Sequence, residues 1–553
     1  MKRVLLIGIF LVLTVKVFPQ TALNETEKIS SFCKVWGFLK YYHPKVSKGK
    51  FDWDKEFMTR VKSLSSLNSK EDLSEFFLEW INDLGRVKNC KKGNTYVPDS
   101  LKLNLDLSWM DDSTIITKKL SEQLHFIEKN RNDGRKYYIE NFLRLGFVNF
   151  DKEKEYKDSA FPSVEMRLLA LSRYWNIVNY FFPYKYLVGE HWNHVLDRMI
   201  PAFKEPKDTI EYHLAMAQLV ASTNDSHASF MTKYITRHFG YRLPAFRIKI
   251  MDGKAVVDYI FNDSLAKIDD IQIGDALTKM DGQSIEKIIR EKGKYIGASN
   301  EPTLERNLSH DLLLQGSADF ILAEVERDGS TFNKLIHRYG YREFRKFKWV
   351  PGDSIPASKI LDGNIGYVNM GVLKLGDVNK IMNSLMNTKA IIFDIRNYPQ
   401  GTMYKVADFL NKEKKPFAKF TKQDLSFPGV FTPTQPYYCG SENKDYYKGK
   451  VVLLFNEKTQ SHAEFTAMAL QTAPNVISIG SQTAGADGNV TTIVFPGGYK
   501  VWMTGLGVYY PDGRETQRIG IVPDIEVKPT IEGIRNKKDE VLEKAIEIIR
   551  QGK

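Results

Sequence analysis

Hydrophobic residues follow three different spacing patterns along the chain, and each pattern predicts a different kind of structure. Residues 25–150 and 163–232 have apolar positions at helical spacing, which predicts helices. From 240 to 345 the pattern changes to short alternating segments such as 254-KAVVDYIF-261, which predict strands. From 358 to 529 apolar strand segments alternate with helical ones, which predicts a βαβ arrangement with a sheet covered on both faces. The fold class is therefore a multi-domain α/β protein.

These changes of pattern set the expected domain boundaries. We expect an N-terminal helical domain over 21–162, a second helical unit over 163–239, a β domain over 240–345 and an α/β core with a closing helix over 346–553. A chain of 553 residues is too long for one hydrophobic core, so several domains are needed.

Residues 1–20 have the shape of a secretory signal. Lys2 and Arg3 precede an apolar run from Val4 to Val15, which is too short to span a bilayer comfortably. The alternative is an uncleaved membrane anchor. No later segment approaches about eighteen consecutive apolar residues. We therefore expect a periplasmic or secreted protein with no integral membrane span after signal removal.

The two helical regions share a short aromatic motif. It reads 36-WGFLKYYHP-44 in the first region and 175-WNIVNYFFP-183 in the second. Trp53 follows the first copy at the same spacing as Trp192 follows the second. This regularity predicts an internal duplication of a helical unit, and chance similarity of aromatic-rich helices is the alternative.

The charge and the cysteine content exclude only a few classes of function. The net charge is +12, but the lysines are spread out, so we read the charge as solvated surface and expect no nucleic-acid partner. Cys33, Cys90 and Cys439 are too few for a disulfide scaffold or a zinc cluster, although one bridge is possible. The segment 191-HWNH-194 lacks further ligands and is read as a helix surface. No metal or other cofactor is expected.

Within the β domain, 273-IGDALTKMDGQSI-285 reads as a strand, a tight Asp-Gly turn and a strand. This pattern resembles a PDZ domain. The resemblance implies capture of a peptide C-terminus by strand addition at a sheet edge. The carboxylate-binding loop would lie in 241-YRLPAF-246, with Leu243, Pro244, Ala245 and Phe246 as peptide-binding residues.

One serine stands where a predicted strand gives way to a helix. The segment 451-VVLLFNEKTQSHAEFTAMALQ-471 runs from branched apolar residues through a polar patch into a helical pattern, with Ser461 at the junction. The N–H groups at a helix start favour negative charge, so an attacked carbonyl oxygen held there would be stabilised. The alternative is an ordinary N-cap serine that forms a capping box with Glu464.

A second segment offers hydrogen bonds to the same oxygen. The strand in 391-IIFDIRNYPQG-401 ends in a turn whose Gly401 can present its N–H beside Ser461. With the N–H of His462 this would make a two-donor oxyanion hole. Taken alone, the segment also reads as an ordinary proline-containing turn.

The order of these motifs resembles the C-terminal-processing and tricorn-type serine peptidases. The shared features are the strand ending in D-x-R-x-x-x-x-G, the S-x-A-E helix, 483-TAGADGN-489 and 509-YYPDGRETQRIGIVPDIEV-527. The match runs from Asn364 to Val527. The resemblance implies a peptidase core of the ClpP and crotonase type, peptide-bond hydrolysis and Ser461 as the nucleophile.

The family has two catalytic types, and the sequence favours one of them. In the Ser–Lys type a lysine follows the nucleophile, but Ala486 occupies that position here and no lysine lies between Ser461 and Lys500. Lys458, before the serine, is a poor substitute. The tricorn type instead takes a Ser–His pair from an earlier helical segment.

That pair matches Ser226 and His227 in 224-NDSHAS-229, where local sequence alone also allows a capping or core histidine. In this interpretation His227 takes the proton of the attacking serine and returns it to the leaving amine. Glu515 matches the orienting carboxylate of the tricorn type, with a link to Ser226, and Gln517 is the second candidate.

These residues predict a serine endopeptidase that hydrolyses unfolded or C-terminal polypeptide segments through an acyl-enzyme. The alternative is a non-catalytic peptide-binding protein on a peptidase scaffold, which the missing lysine keeps open. The expected partner in both cases is a peptide or an unfolded protein, and no oligomeric state follows from the sequence.

Overall fold

The computed structural model describes residues 22–89, 97–141, 146–157, 159–344 and 355–552. The predicted signal over 1–20 and Cys90 lie outside these ranges. None of the helices in the described ranges is both long and apolar enough to cross a bilayer. Cys33 and Cys439 are buried free thiols.

The N-terminal half of the chain is helical and is built around two long helices, Glu25–Tyr42 and Val164–Phe181. They cross where Gly37 meets Asn176, and a Cβ on the glycine would lie 1.8 Å from the asparagine side chain. The absence of a side chain at Gly37 therefore allows the close contact. The other α-helices here are Trp53–Arg60, Lys70–Asp83, Lys118–Lys129, Trp192–Lys204, Thr209–Ala221 and Lys233–Phe239.

The motif that occurs twice in the sequence has the same hydrogen bonds in both places. The indole N–H of Trp36 donates to the carbonyl of Trp53, and Trp53 donates back to Trp36. Trp175 and Trp192 exchange the same two bonds. All four rings are buried, so these reciprocal bonds satisfy indole donors that would otherwise be unpaired in the core.

Buried charges join the helices to one another. Arg173 pairs with Asp54 at 2.7 Å and with Glu153 at 3.1 Å, and Lys40 also pairs with Glu153. Arg173 further donates to the carbonyl of Val494 in the C-terminal half. Because charges out of water need partners, this cluster fixes the register of the helices that carry it.

Residues 240–344 form a small β domain with its own hydrophobic core. Its main sheet is antiparallel, and the strand Phe246–Met251 lies at one edge. The remaining strands are Lys254–Ile260, Ala276–Met280, Gln283–Ser284, Phe320–Arg327 and Ser330–His337. The helices are Asp263–Ile268, Ile285–Gly293, Glu301–Asn307, a π-helical turn Leu308–Leu312 and Tyr341–Phe344.

The predicted carboxylate-binding loop is not free to bind a peptide end. The N–H and carbonyl of Leu243 both pair with Tyr339, and the carbonyl of Ala245 accepts from Phe261. Pro244, Ala245 and Phe246 are buried. The peptide-binding role of these residues remains a prediction, and their backbone groups already complete hydrogen bonds within the domain. A groove lies farther along the edge strand, from Arg247 onward.

The C-terminal half is built on a six-stranded sheet. Its strands are, in spatial order, Ile525–Glu526, Val476–Gly480, Lys450–Phe455, Ala390–Asp394, Ile365–Asn369 and Ser358–Leu361. The first five run parallel and the last is antiparallel. Helices Val378–Leu385, Met403–Leu410 and His462–Leu470 cover one face, and Glu540–Arg550 covers the other. Because helices cover both faces of the sheet, as predicted, side chains on both faces of each strand are buried. This explains why the strands are continuously apolar rather than alternating between apolar and polar residues.

Two smaller sheets flank this core. In the first, Lys415–Gln423 pairs with Phe431–Pro433, Tyr437–Cys439 and Gly507–Tyr509. The second is a hairpin of Val490–Phe495 and Tyr499–Thr504. The segment 499–510 breaks at Gly505 because its two parts join different sheets. Apolar side chains of the hairpin pack into the core of the helical region.

Candidate active site

Ser461 occupies a strained turn between the strand Lys450–Phe455 and the helix His462–Leu470. Its backbone has φ +58° and ψ −122°, whereas an ordinary N-cap residue is extended. A non-glycine residue in this region costs about 1–3 kcal/mol and is retained where surrounding structure fixes it. Here the Ser461 N–H donates to the carbonyl of Ala486 at 2.9 Å, and Thr459 donates its hydroxyl to Ile395. The turn therefore presents the serine rather than merely starting a helix.

Glu464 fixes the loop opposite the serine. Its carboxylate accepts from the N–H of Ser461 at 3.2 Å, as a capping box requires. It also accepts from the N–H groups of Gly485 and Ala486 and from the hydroxyl of Thr483. Burial raises the pKa of Glu464, against four hydrogen bonds that favour the carboxylate. The predicted cap is thus one part of a wider network that joins helix and loop.

Ser461 and His227 line the same cavity, which has a volume of about 830 Å³. The histidine comes from the turn after the helix Thr209–Ala221, so two distant parts of the chain meet here. The other lining residues are Arg306, Tyr398, Phe420, Lys458, Gln460, His462, Phe465, Asp487, Gly488, Asn489, Val490, Trp502 and Val508. The lining combines aromatic side chains with polar and charged ones.

The imidazole of His227 has one nitrogen engaged and one free. Nδ1 lies 2.7 Å from the hydroxyl of Thr504, and that hydroxyl lies 2.8 Å from a carboxylate oxygen of Asp225. A carboxylate only accepts, so the threonine donates to Asp225 and accepts from Nδ1–H. This tautomer leaves Nε2 as an unprotonated acceptor. Nε2 is buried and has no hydrogen-bond partner among the described residues.

The surroundings of His227 keep it neutral. Burial lowers its pKa, and the positive charge of Arg306 acts in the same direction. The carboxylate of Asp225, 3.7 Å from Nδ1, opposes this shift. A neutral imidazole with a free nitrogen in a cavity beside a serine is the form that a general base requires.

Asp225 and Thr504 are the site residues that the sequence interpretation missed. The carboxylate of Asp225 also accepts from the N–H of His227 and the N–H of Thr504. The pattern Asp-x-His was visible in the sequence as a local signal. Thr504 carried no such signal, because it reaches the histidine only through the hairpin.

Two predicted orienting residues lie elsewhere. Glu515 accepts from the hydroxyl of Tyr186 at 2.6 Å and does not line the cavity. Ser226 receives the N–H of Ser299 at 2.8 Å and donates to the carbonyl of Ala484. The expected bond between Ser226 and Glu515 is therefore absent from the hydrogen bonds that the described residues make. The Glu515 carboxylate bonds to Tyr186 instead, and the Ser226 hydroxyl bonds to Ser299 and Ala484.

Gln517 also approaches Ser299, which connects it to Ser226 rather than to His227. Its amide nitrogen lies 3.4 Å from the hydroxyl of Ser299. Ser226 precedes His227 in the chain. Its hydrogen bond to Ala484 connects the turn that carries both residues to the 483–486 segment. The structure gives the orienting position beside Nδ1 to Thr504.

The two predicted oxyanion donors differ in their placement. His462 follows the serine directly and lines the cavity, and its N–H is the first of a helix, where no intrahelical acceptor exists. Its imidazole also borders the cavity, 6.1 Å from the ring of Tyr398. Gly401 lies in the same turn as Tyr398 but is exposed and is not part of the lining. Its φ of +73° suits glycine.

A second cavity, of about 500 Å³, separates the small β domain from the core. It runs along the edge strand Phe246–Met251 and is bordered by Arg247, Lys249, Glu305 and Arg306. Arg306 reaches from this groove to the carbonyl of Glu457 and the side chain of Gln460, next to Ser461. Arg306 and Lys458 border both cavities.

Within the described ranges, no three histidine, cysteine or acidic side chains are grouped so that they could hold a metal ion. The polar groups around Ser461 and His227 can carry acid–base and nucleophilic chemistry.

Comparison with known proteins agrees with this chemistry. Residues 364–527 match the family model described as Peptidase family S41. The matched range contains Ser461, Glu464 and Thr504, and it excludes His227. No curated protein matches the sequence.

Solved structures resemble a larger part of the chain. A mutant of CPAF has a TM-score of 0.55 at 16% identity, over 70% of this chain and 97% of that one. Mature CPAF complexed with lactacystin has a TM-score of 0.53 at 15% identity, over 70% of this chain and 99% of that one. A putative peptidase from Parabacteroides merdae has a TM-score of 0.43 at 17% identity, over 70% and 97%. At these identities the likeness to CPAF establishes the fold alone.

Proposed function

We propose that this chain is an endopeptidase that works through Ser461 and His227. It is a serine peptidase whose core is a family S41 domain of the C-terminal-processing and tricorn type. The observation that carries the proposal is the free Nε2 of His227 in the cavity that Ser461 also lines. The bond from Nδ1 to Thr504, which in turn bonds Asp225, supports the tautomer that a general base needs.

In the proposed mechanism Nε2 of His227 removes the hydroxyl proton of Ser461 as Oγ attacks the peptide carbonyl carbon. The carbonyl oxygen becomes an oxyanion and accepts a hydrogen bond from the N–H of His462 at the helix start. Gly401 remains the candidate for the second donor. The imidazolium then protonates the leaving amine, and water attacks the acyl-enzyme with His227 again as base.

The substrate is proposed to be an unfolded or C-terminal polypeptide segment. Arg247 and Lys249 of the strand Phe246–Met251 pair with Asp258 and Glu457. The strand lies at the edge of its sheet and lines the groove, which supports binding by strand addition. This moves the peptide-binding site from the 243–246 loop to the groove. The apolar run from Val4 to Val15 supports export to the periplasm or beyond.

The test is active-site labelling combined with digestion. Wild type should react with a fluorophosphonate probe and should cleave a disordered protein into fragments that mass spectrometry can map. Ser461→Ala should do neither, and His227→Ala should lose about 10³-fold in the rate of hydrolysis. Lactacystin, bound by mature CPAF, is a second probe.

A wild-type protein that never labels and never cleaves, yet binds peptides, would overturn the catalytic proposal in favour of a peptide-binding protein. Glu532→Gln, on the short helix Ile531–Arg535 outside the cavity, is the matched control and should behave as wild type.

A further inference from the structure

The turn that carries His227 packs against a part of the chain to which the mechanism above gives no role. The turn spans residues 225–228 and meets the segment 297–300 of the small β domain. That segment connects the helices Ile285–Gly293 and Glu301–Asn307. Its contacts reach the residues directly before and directly after His227, so it bears on where the proposed base lies.

Ser226, directly before His227, exchanges two hydrogen bonds with Ser299. The N–H of Ser226 donates to the hydroxyl of Ser299 at 2.9 Å, and the N–H of Ser299 donates to the hydroxyl of Ser226 at 2.8 Å. Both residues are buried. Because breaking this pair of bonds would leave buried donors without acceptors, the pair fixes the two backbones relative to each other.

A close backbone contact holds the chain on the other side of His227. A Cβ on Gly297 would overlap the carbonyl oxygen of Ala228 and would lie 2.9 Å from that of Asp225. Only glycine therefore lets the segment approach the turn this closely. The N–H of Ala228 donates to the carbonyl of Asp225 at 3.0 Å, which closes the turn around His227.

The same segment is also bonded to the loop that supports Ser461. The side-chain amide of Asn300 donates to the carbonyl of Thr483 at 2.8 Å. Three residues farther along that loop, the carbonyl of Ala486 accepts the N–H of Ser461. One short segment is thus hydrogen-bonded both to the turn of the proposed base and to the loop beside the proposed nucleophile.

We infer that Ser299 is a positioning residue for the peptidase reaction and acts through His227. It does not line the cavity of Ser461. Its hydroxyl anchors the residue before the base and, together with the close contact at Gly297, keeps Nε2 where it can take the serine proton. The inference rests on the proposed function and adds that the small β domain takes part in the chemical step. A displacement of about 1 Å in such a site can lower the rate about 10²-fold.

The test replaces Ser299 by alanine, which removes one oxygen and leaves the bond from its N–H to Ser226 intact. We expect kcat for a fluorogenic peptide to fall about 10- to 100-fold while KM stays within about 3-fold of wild type, because the peptide still binds and the base is displaced. The rate of fluorophosphonate labelling should fall with kcat.

Ser284→Ala is the matched control. Ser284 lies in the same domain, and its hydroxyl accepts one hydrogen bond from the N–H of Lys287 at the start of the helix Ile285–Gly293. The change is therefore of the same kind, but Ser284 makes no hydrogen bond to the turn of His227 among those that the described residues form. This variant should keep the kcat and the labelling rate of wild type.

A double variant separates positioning of the base from a general loss of structure. If Ser299 acts through His227, Ser299→Ala should cause no further loss of kcat in a His227→Ala background, where the base is already absent. Melting curves report the folding of each variant. Gly297→Ala disturbs the same turn from its other side and should show the same pattern, so it provides the comparison if Ser299→Ala melts below the assay temperature.

The possible results have different meanings. A folded Ser299→Ala enzyme with wild-type kcat, or one that loses activity through KM alone, would overturn the inference. An equal loss in the presence and in the absence of His227 would also overturn it, since Ser299 would then act on the fold and not on the base. Failure of wild type to label and to cleave would contradict the peptidase function itself. Cleavage that is lost in His227→Ala and unchanged in Ser299→Ala would contradict this inference alone.

Discussion

Replacing Asp225 by asparagine tests the arrangement around the base most directly. Asp225 is fully buried and accepts from the N–H of His227, the N–H of Thr504 and the hydroxyl of Thr504. An asparagine keeps the shape but removes the charge and turns one acceptor into a donor. The Thr504 hydroxyl can then point the other way, and the tautomer with a free Nε2 is no longer fixed.

The magnitude follows from the distance between charges. An imidazolium and a carboxylate 3.7 Å apart attract each other by about 4.5 kcal/mol at an effective dielectric constant of about 20. Because about 1.4 kcal/mol corresponds to a tenfold change in rate, the loss is bounded near 10³-fold. We expect kcat to fall by about 10²- to 10³-fold, since Thr504 stands between the two groups.

The pH dependence has a defined sign. Burial and Arg306 lower the pKa of His227, and Asp225 raises it. Without Asp225 the pKa falls further, so the neutral base persists to lower pH. The acid limb of kcat/KM should therefore move to lower pH in Asp225→Asn while the plateau drops.

The assay is hydrolysis of a fluorogenic peptide from pH 4 to 9, with melting curves to verify folding. Thr504→Ser keeps the hydroxyl and should remain close to wild type, whereas Thr504→Val should lose about tenfold or more. A folded Asp225→Asn enzyme with wild-type kcat, or with its acid limb moved to higher pH, would refute the reasoning.

Three further changes have distinct expected outcomes. Glu515→Gln should lower kcat less than tenfold, because Glu515 bonds Tyr186 outside the cavity, and a loss matching that of Asp225→Asn would contradict this. Burial and nearby acids raise the pKa of Glu305 to about 7, so peptides with a free C-terminal carboxylate should bind more weakly at pH 8 than at pH 6 by fluorescence anisotropy. Glu305→Gln should remove that difference, and its persistence would argue against the groove. Arg173→Met should lower the free energy of unfolding by about 3–5 kcal/mol by leaving Asp54 unpaired, and an unchanged denaturation midpoint would count against this.

The periodicity of apolar residues was enough to place the elements of the core. The apolar pattern predicts strands at 389–396, 450–456 and 476–481 and a helix at 461–472. The strands Ala390–Asp394, Lys450–Phe455 and Val476–Gly480 and the helix His462–Leu470 lie within two residues of these bounds. These segments are long, apolar and bounded by polar turns, so local pattern decides them. The break at Gly505 is not decided by local pattern, because it depends on which sheet each half of 499–510 joins.

The candidate site was predictable to the extent that its residues lie in local motifs. Ser461 stands out at a strand-to-helix junction, and His227 stands in a polar turn. Thr504 did not stand out, because it contacts His227 and Asp225, which are far from it in the sequence. The peptide-binding prediction for 243–246 could not take account of the pairing of Leu243 with Tyr339, because the two residues are far apart in the sequence.

The hairpin that carries Thr504 packs its apolar side chains into the helical region, while Ser461 belongs to the core sheet. The proposed base, the threonine that contacts it and the proposed nucleophile consequently belong to different structural units of one molecule. A truncated chain that keeps only the C-terminal half would contain the attacking hydroxyl with nothing to deprotonate it. On gentle heating, catalysis should therefore disappear as soon as the helices detach from the hairpin, before the sheet beneath the serine begins to melt.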